Sequence, residues 1–173
     1  MVEKQLVFTE KEINRRICEL GREITSDYAG CDLTVIGILN GAFIFTADLV
    51  RRIDLPVEVD FIRVASYGSA TYSSGTVHCS KDVELAIEDR HIILVEDIVD
   101  TGLTLAAVKE MLVLRNPRSI RVCALIDKRE RREEPVSIDY SGFSVEKGFL
   151  VGYGLDYAEK YRNLPAVYHL VGK

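Results

Sequence analysis

A chain of 173 residues, 47% of them hydrophobic, has enough apolar material for one packed core and is read as a single domain spanning 1–173. Its 22 Lys+Arg against 27 Asp+Glu leave a net charge of -5, which argues against a surface that holds nucleic acid by general attraction, so any anionic ligand must be captured locally. Cys18, Cys31, Cys79 and Cys123 are scattered without a CxxC pair, no apolar run approaches the ~18 residues of a membrane span, and Met1 to Gln5 carry no apolar signal core, so reduced thiols in a cytoplasmic protein without a membrane partner are expected.

In chain order, Thr9 with Glu12 makes a capping box, and Ile13, Ile17, Leu20, Ile24 and Tyr28 follow at helical spacing until Gly30 closes the segment. An apolar strand over 33–39 comes next, then Asn40-Gly41 as a turn, then a helix over 42–52 with Phe43, Ala47 and Val50 facing inward. A strand over 57–65 leads into residues 66–75, SYGSATYSSG, whose Gly and Ser content predicts a loop. Residues 91–96 predict a buried strand, 101–115 a helix with Leu105, Val108 and Leu112 in phase, and 119–126 a further strand. Strands alternating with helices imply an α/β fold, a parallel sheet flanked by helices. After Pro135, short apolar stretches over 136–140, 149–153 and 167–171 predict a small cap on that sheet.

Residues 95–104, VEDIVDTGLT, carry the chemistry. Asp100, Thr101, Gly102, Leu103 and Thr104 stand where an apolar strand passes into a helix, so backbone N–H groups, two hydroxyls and a glycine converge on a place where phosphate can sit. Glu96 and Asp97 would repel that phosphate unless something between them takes up negative charge or offers hydroxyl donors. A sugar diol with magnesium (Mg) does both.

This strand, acidic pair and TGLT turn resemble the phosphoribosyl pyrophosphate (PRPP) signature of the type I phosphoribosyltransferases. LNGA at 39–42, SYG at 66–68, DK at 127–128, FLVGYGLDY at 149–157 and YRNLP at 161–165 narrow the resemblance to the hypoxanthine-guanine phosphoribosyltransferase family, in the family's order and over nearly the whole chain. The fold this implies is a five-stranded parallel sheet with flanking helices under a small hood made from the N- and C-terminal segments. A dimer or tetramer of the chain is implied too, and the apolar helix over 42–53 could serve that contact as well as it could serve a core.

The resemblance makes Asp100 the proton acceptor for the imidazole nitrogen of the purine, a role in which a helix cap alone would leave Glu96 and Asp97 unexplained. Thr101, Gly102, Leu103 and Thr104 would hold the 5′-phosphate, while Glu96 and Asp97 meet the ribose hydroxyls, which both can do only if the strand has begun to turn there. Asn40 and Gly41 fall in the pyrophosphate loop, where the family implies a non-proline cis peptide and often has a basic residue or glycine in place of Asn40. Lys128 would donate to a purine 6-oxo group, Phe149 would stack on the ring and Leu150 would offer backbone to its edge. Asp156 corresponds to a residue that reads the purine and a second magnesium, so Glu96, Asp97 and Asp156 are the implied metal residues, and Arg162 corresponds to a pyrophosphate contact. Ser66 and Tyr67 would close over the reacting centre and keep water out. Arg129, Arg131 and Arg132, alternating with acids, are read as a solvated loop.

The expected reaction joins hypoxanthine, or guanine, to PRPP and yields IMP or GMP with pyrophosphate. A xanthine-preferring enzyme, an enzyme for adenine or a pyrimidine, and a PRPP-sensing regulator on the same fold are the rivals; Lys128 with Phe149 favours an oxopurine, and net acidity weighs against a nucleic-acid-binding regulator.

Overall fold

Thr9 and Glu12 close the capping box that starts the first helix: Thr9 accepts the Glu12 backbone N–H, and the Glu12 carboxylate accepts the N–H of Thr9 at 2.9 Å. The computed structural model describes residues 3–66 and 77–172. In chain order these form β1 (Lys4–Phe8), α1 (Glu10–Asp27), β2 (Leu33–Leu39), α2 (Phe43–Val50), β3 (Val57–Ser66), β4 (Val77–Lys81), β5 (His91–Val99), α3 (Leu103–Val113), β6 (Ser119–Lys128), β7 (Tyr140–Val145), β8 (Leu150–Val151) and β9 (Val167–Leu170). No described helix is long and apolar enough to cross a membrane.

The larger sheet runs β4-β3-β2-β5-β6-β7. Five of these strands are parallel, and β4 is an antiparallel edge on β3. Because both faces are covered, the middles of β5 and β6 are unbroken apolar runs, Ile92 to Val95 and Val122 to Ile126, rather than alternating. Along β5, Ile93 and Val95 pack toward α1 and α2 with Ile13, Ile17, Phe45 and Leu49, while Ile92 and Leu94 pack toward α3 with Leu105, Val108 and Leu112. That alternation decides where the two acids that follow Val95 will point.

A second sheet, β1-β9-β8, joins the two ends of the chain. Its strands are antiparallel, with Lys4 opposite Leu170 and Leu150 opposite His169. It is tied to the larger sheet by Phe8 stacked on Phe143 of β7 at 4.1 Å, and the turn after β8 is tied to α2 by the Tyr153 hydroxyl bonded to Asp48.

Three expectations need correction. In α2 the buried residues are Phe45, Thr46 and Leu49, whereas Phe43 and Ala47 are exposed and Val50 is half-buried. The helix is apolar nearly all round, so spacing carries no phase. Residues 136–140 do not form a cap strand: Val136 and Ile138 pack on the α3 face of the core, and the strand that follows, β7, pairs in parallel with β6 from Tyr140 opposite Cys123. The strand over 57–65 extends to Ser66, and its hairpin partner β4 was not foreseen. The rest of the expected loop, with Tyr67, lies outside the described residues.

Candidate functional site

The turn between β5 and α3 is set by Gly102, whose φ of +86° and whose place 2.7 Å (measured from an added Cβ) from the Glu134 carbonyl leave no room for a side chain. α3 therefore opens directly onto a cavity of about 250 Å³ lined by Glu96, Asp100, Thr101, Gly102, Thr104 and the backbone around Leu39 and Gly41. Among the described residues no side chain caps this helix at Gly102, although the Thr101 hydroxyl accepts the Leu103 N–H at 3.4 Å, so the N-terminus stays an electropositive wall of the cavity. Thr101, Gly102 and Thr104 line the cavity as expected; Leu103 is turned outward and is 45% exposed.

β5 does not turn at the acidic pair. It continues to Val99, and the side chains alternate: Glu96 lines the first cavity, and Asp97 lines a second one of about 210 Å³. Both are buried, and each folds back on its own strand, with the Asp97 N–H donating to Glu96 Oε1 at 3.2 Å and the Ile98 N–H to Asp97 Oδ1 at 2.9 Å. Burial, with the neighbouring Asp97 carboxylate adding to it, holds Glu96 well above the ordinary carboxylate range; burial also raises Asp97, opposed by its interaction with Glu96 and the Ile98 N–H. The peptide Leu39-Asn40 is cis, as the resemblance implied. Gly41, the next residue, lies directly against Asp97, and the Asn40 side chain is exposed.

The second cavity is walled by Asp97, Ile98, Asp100, Lys128, Arg131, Gly148, Phe149, Leu150, Leu155 and Asp156. Lys128 is buried at the end of β6, where its ammonium lies 3.4 Å from Asp100 Oδ2 and 3.5 Å from Glu130 Oε2. Phe149 is 38% exposed and meets Tyr157 edge-on at 5.5 Å, which leaves ring surface open to a flat partner. Leu150 is fixed by the pairing of β8 with β9. Asp156 is engaged by Arg162 at 3.0 Å, and Arg162 also donates to the Gly154 carbonyl at 2.8 Å. Among the described residues no group of three or more His, Cys, Asp or Glu could hold a metal ion, so Asp156 does not join Glu96 and Asp97 in a cage. Asp100 and Ile98 line both cavities, and Asp100 Oδ1 is buried without a hydrogen-bond partner among the described residues.

The reading of 129–134 as solvated holds for Arg129, 75% exposed, but not for Arg132, only 19% exposed. Arg132 turns inward and bonds to backbone carbonyls behind the site. The alternating charges of this segment gave no sign of it, because a guanidinium that caps carbonyls has no sequence pattern of its own.

A helix N-terminus facing a sugar-sized hollow, with buried acids beside it at the carboxyl ends of parallel strands, defines a nucleotide-handling α/β protein. The family model described as "Phosphoribosyl transferase domain" matches residues 7–158. The chain belongs to that phosphoribosyltransferase family. It is 45% identical to the hypoxanthine phosphoribosyltransferase of Salmonella typhimurium over 94% of this chain and 93% of that one. It is 46% identical to the hypoxanthine-guanine phosphoribosyltransferase of Bacillus subtilis over 96% of this chain and 92% of that one. A crystal structure of a hypoxanthine-guanine phosphoribosyltransferase from Bacillus anthracis is similar at TM-score 0.93 and 39% identity, covering 99% of this chain and all of that one (100%).

Proposed function

We propose that this chain is a hypoxanthine phosphoribosyltransferase of purine salvage, using PRPP to convert hypoxanthine to IMP and guanine to GMP with release of pyrophosphate. The observation that carries the reading is the meeting of the two cavities at Asp100: one is suited to a phosphate and sugar, the other to a flat base.

The N-terminus of α3, with Thr101, Gly102 and Thr104, holds the 5′-phosphate of PRPP, and Glu96 accepts from the ribose hydroxyls. The purine lies against Phe149, with Lys128 donating to its 6-oxo group, which an aminopurine could not accept in the same way. As the purine nitrogen bonds to the sugar carbon, the bond from that carbon to pyrophosphate breaks. Asp100 takes the imidazole proton, and pyrophosphate leaves with its bonding electrons. Arg162 and the amides around Asn40 and Gly41 stand on the leaving-group side, and Asp156 reads the base; the expected closure by Ser66 and Tyr67 falls on a loop that lies, from Tyr67 on, outside the described residues.

Magnesium fits either acid at its own cavity. Each buried carboxylate, its pKa raised, gains from a divalent cation, and such an ion commonly takes only one or two protein carboxylates, the rest of its shell coming from substrate oxygens and water. When bound, it supplies positive charge to the departing pyrophosphate. The reading includes one functional domain over 1–173 with the β1-β9-β8 sheet as its hood, a cytoplasmic location, and a homodimer or homotetramer, the last supported by the outward Phe43 of α2 and Val59 of β3.

A panel of hypoxanthine, guanine, xanthine, adenine and uracil, each with PRPP and magnesium, tests this. Nucleotide from the first two is expected. None from either would overturn the assignment.

A further inference from the structure

Arg132 lines neither cavity, yet it touches the backbone behind both. Its Nε donates to the Asp100 carbonyl at 3.0 Å, and its Nη2 reaches the carbonyls of Val99 at 3.0 Å and Lys128 at 3.1 Å. The same nitrogen meets Asp127 Oδ1 at 2.6 Å, and Asp127 is itself only 6% exposed, so the half-buried cation is neutralised where it stands.

The position of these bonds gives them meaning. β5 and β6 pair from His91 opposite Ser119 as far as Val99 opposite Asp127, and there the pairing of these two strands stops. Asp100 lies past the end of β5, and Lys128, the last residue of β6, is paired with Val145 of β7 but not with β5. The guanidinium takes over at that point: a rigid, planar set of donors bridges one strand end to the other. The following residues reinforce it, since the N–H groups of Glu133 and Glu134 both donate to the Thr101 carbonyl, at 2.9 and 3.0 Å.

We propose that Arg132 is a positioning residue that fixes the separation of Asp100 from Lys128. The inference rests on the function proposed above. The imidazole nitrogen and the 6-oxo group belong to one rigid purine, so the proton acceptor and the oxo-reading ammonium have to stand at a matching distance before the base arrives. Arg132 sets that distance through the main chain, without touching the substrate.

The test is steady-state kinetics of Arg132→Lys and Arg132→Ala against wild type, with hypoxanthine and PRPP varied separately, well below each protein's melting temperature. Lysine keeps the pairing with Asp127 but has no planar fork to span both strand ends. Both variants are expected to lose roughly ten- to a hundredfold in kcat/KM for hypoxanthine, as a small misplacement of reacting groups does. The KM for PRPP should stay within about twofold, because the phosphate site on α3 keeps its own donors. A general loosening of the fold would instead raise both KM values together. The proposal is overturned by a kcat/KM for hypoxanthine within about twofold of wild type, by KM values that rise in step, or by failure of both variants to fold, which would make Arg132 a folding residue only. If wild type forms no nucleotide, the proposed function fails first and takes this inference with it.

Discussion

Gly41 lies so close to Asp97 that a Cβ on it would stand 2.0 Å from the Asp97 Oδ2. The cavity wall and the acidic pair are therefore in direct contact, and the glycine is required by its neighbour. Gly41→Ala must displace a buried carboxylate that is also held by the Ile98 N–H. We expect activity to fall by roughly a hundredfold, as for a misplaced binding group, with the far-ultraviolet circular dichroism of wild type retained.

Among the described residues Asp100 offers the one carboxylate shared by the two cavities. Asp100→Asn keeps the shape and removes the proton acceptor, so kcat should drop by roughly 10²–10⁴ while PRPP affinity, measured by calorimetry, changes little. A variant that turns over at wild-type speed would remove the proton acceptor from the mechanism.

Glu96 carries a cost in the free protein. Its carboxyl is raised in the folded state above its ordinary value of 4.5, so the folded chain binds the proton more tightly than the unfolded chain does. The stability this gives is complete below that value and is lost as pH rises through the folded pKa. Glu96→Gln, a permanent mimic of the protonated form, should melt higher than wild type at pH 8, and the gap should close toward pH 4.5. Nucleotide synthesis should fall in the same variant. Thermal melts at the two pH values check the sign.

Asp60 on β3 behaves in the opposite way. Burial pushes its carboxyl up, but the backbone N–H groups of Leu85, Phe61 and Glu84, with the Lys81 ammonium, outweigh that and hold it below its usual 3.8. Its stabilisation is present above that value and is lost as pH falls through the folded pKa. Asp60→Asn should cost about 1–3 kcal/mol at pH 7, since an amide cannot satisfy all of these donors, and the deficit should shrink in acid. Chemical denaturation at pH 7 and pH 3 would show it.

What the sequence made legible was local. Thr9, Glu12 and the helical spacing of α1 lie within one segment, and so do the turn and glycine of VEDIVDTGLT. What stayed hidden depends on contacts between distant segments. Asp60 meets Glu84 and Leu85 only because β3 and the chain after β4 lie side by side, and Arg132 meets Val99 only once β6 has brought residues 129–134 back beneath the loop. The phase of α2 was illegible for a different reason, since Phe43, Ile44 and Phe45 are consecutive and only packing decides which turns inward. For the acids, the alternation of Ile92 to Val95 already contained the answer that Glu96 and Asp97 would part.

That parting makes β5 a partition between two rooms whose doorway, among the described residues, is at Ile98 and Asp100. A compound meant to fill both at once has to bend at that doorway, as a nucleotide does where base joins sugar. Straight linked molecules, however well each end fits its own room, should bind no better than one end alone.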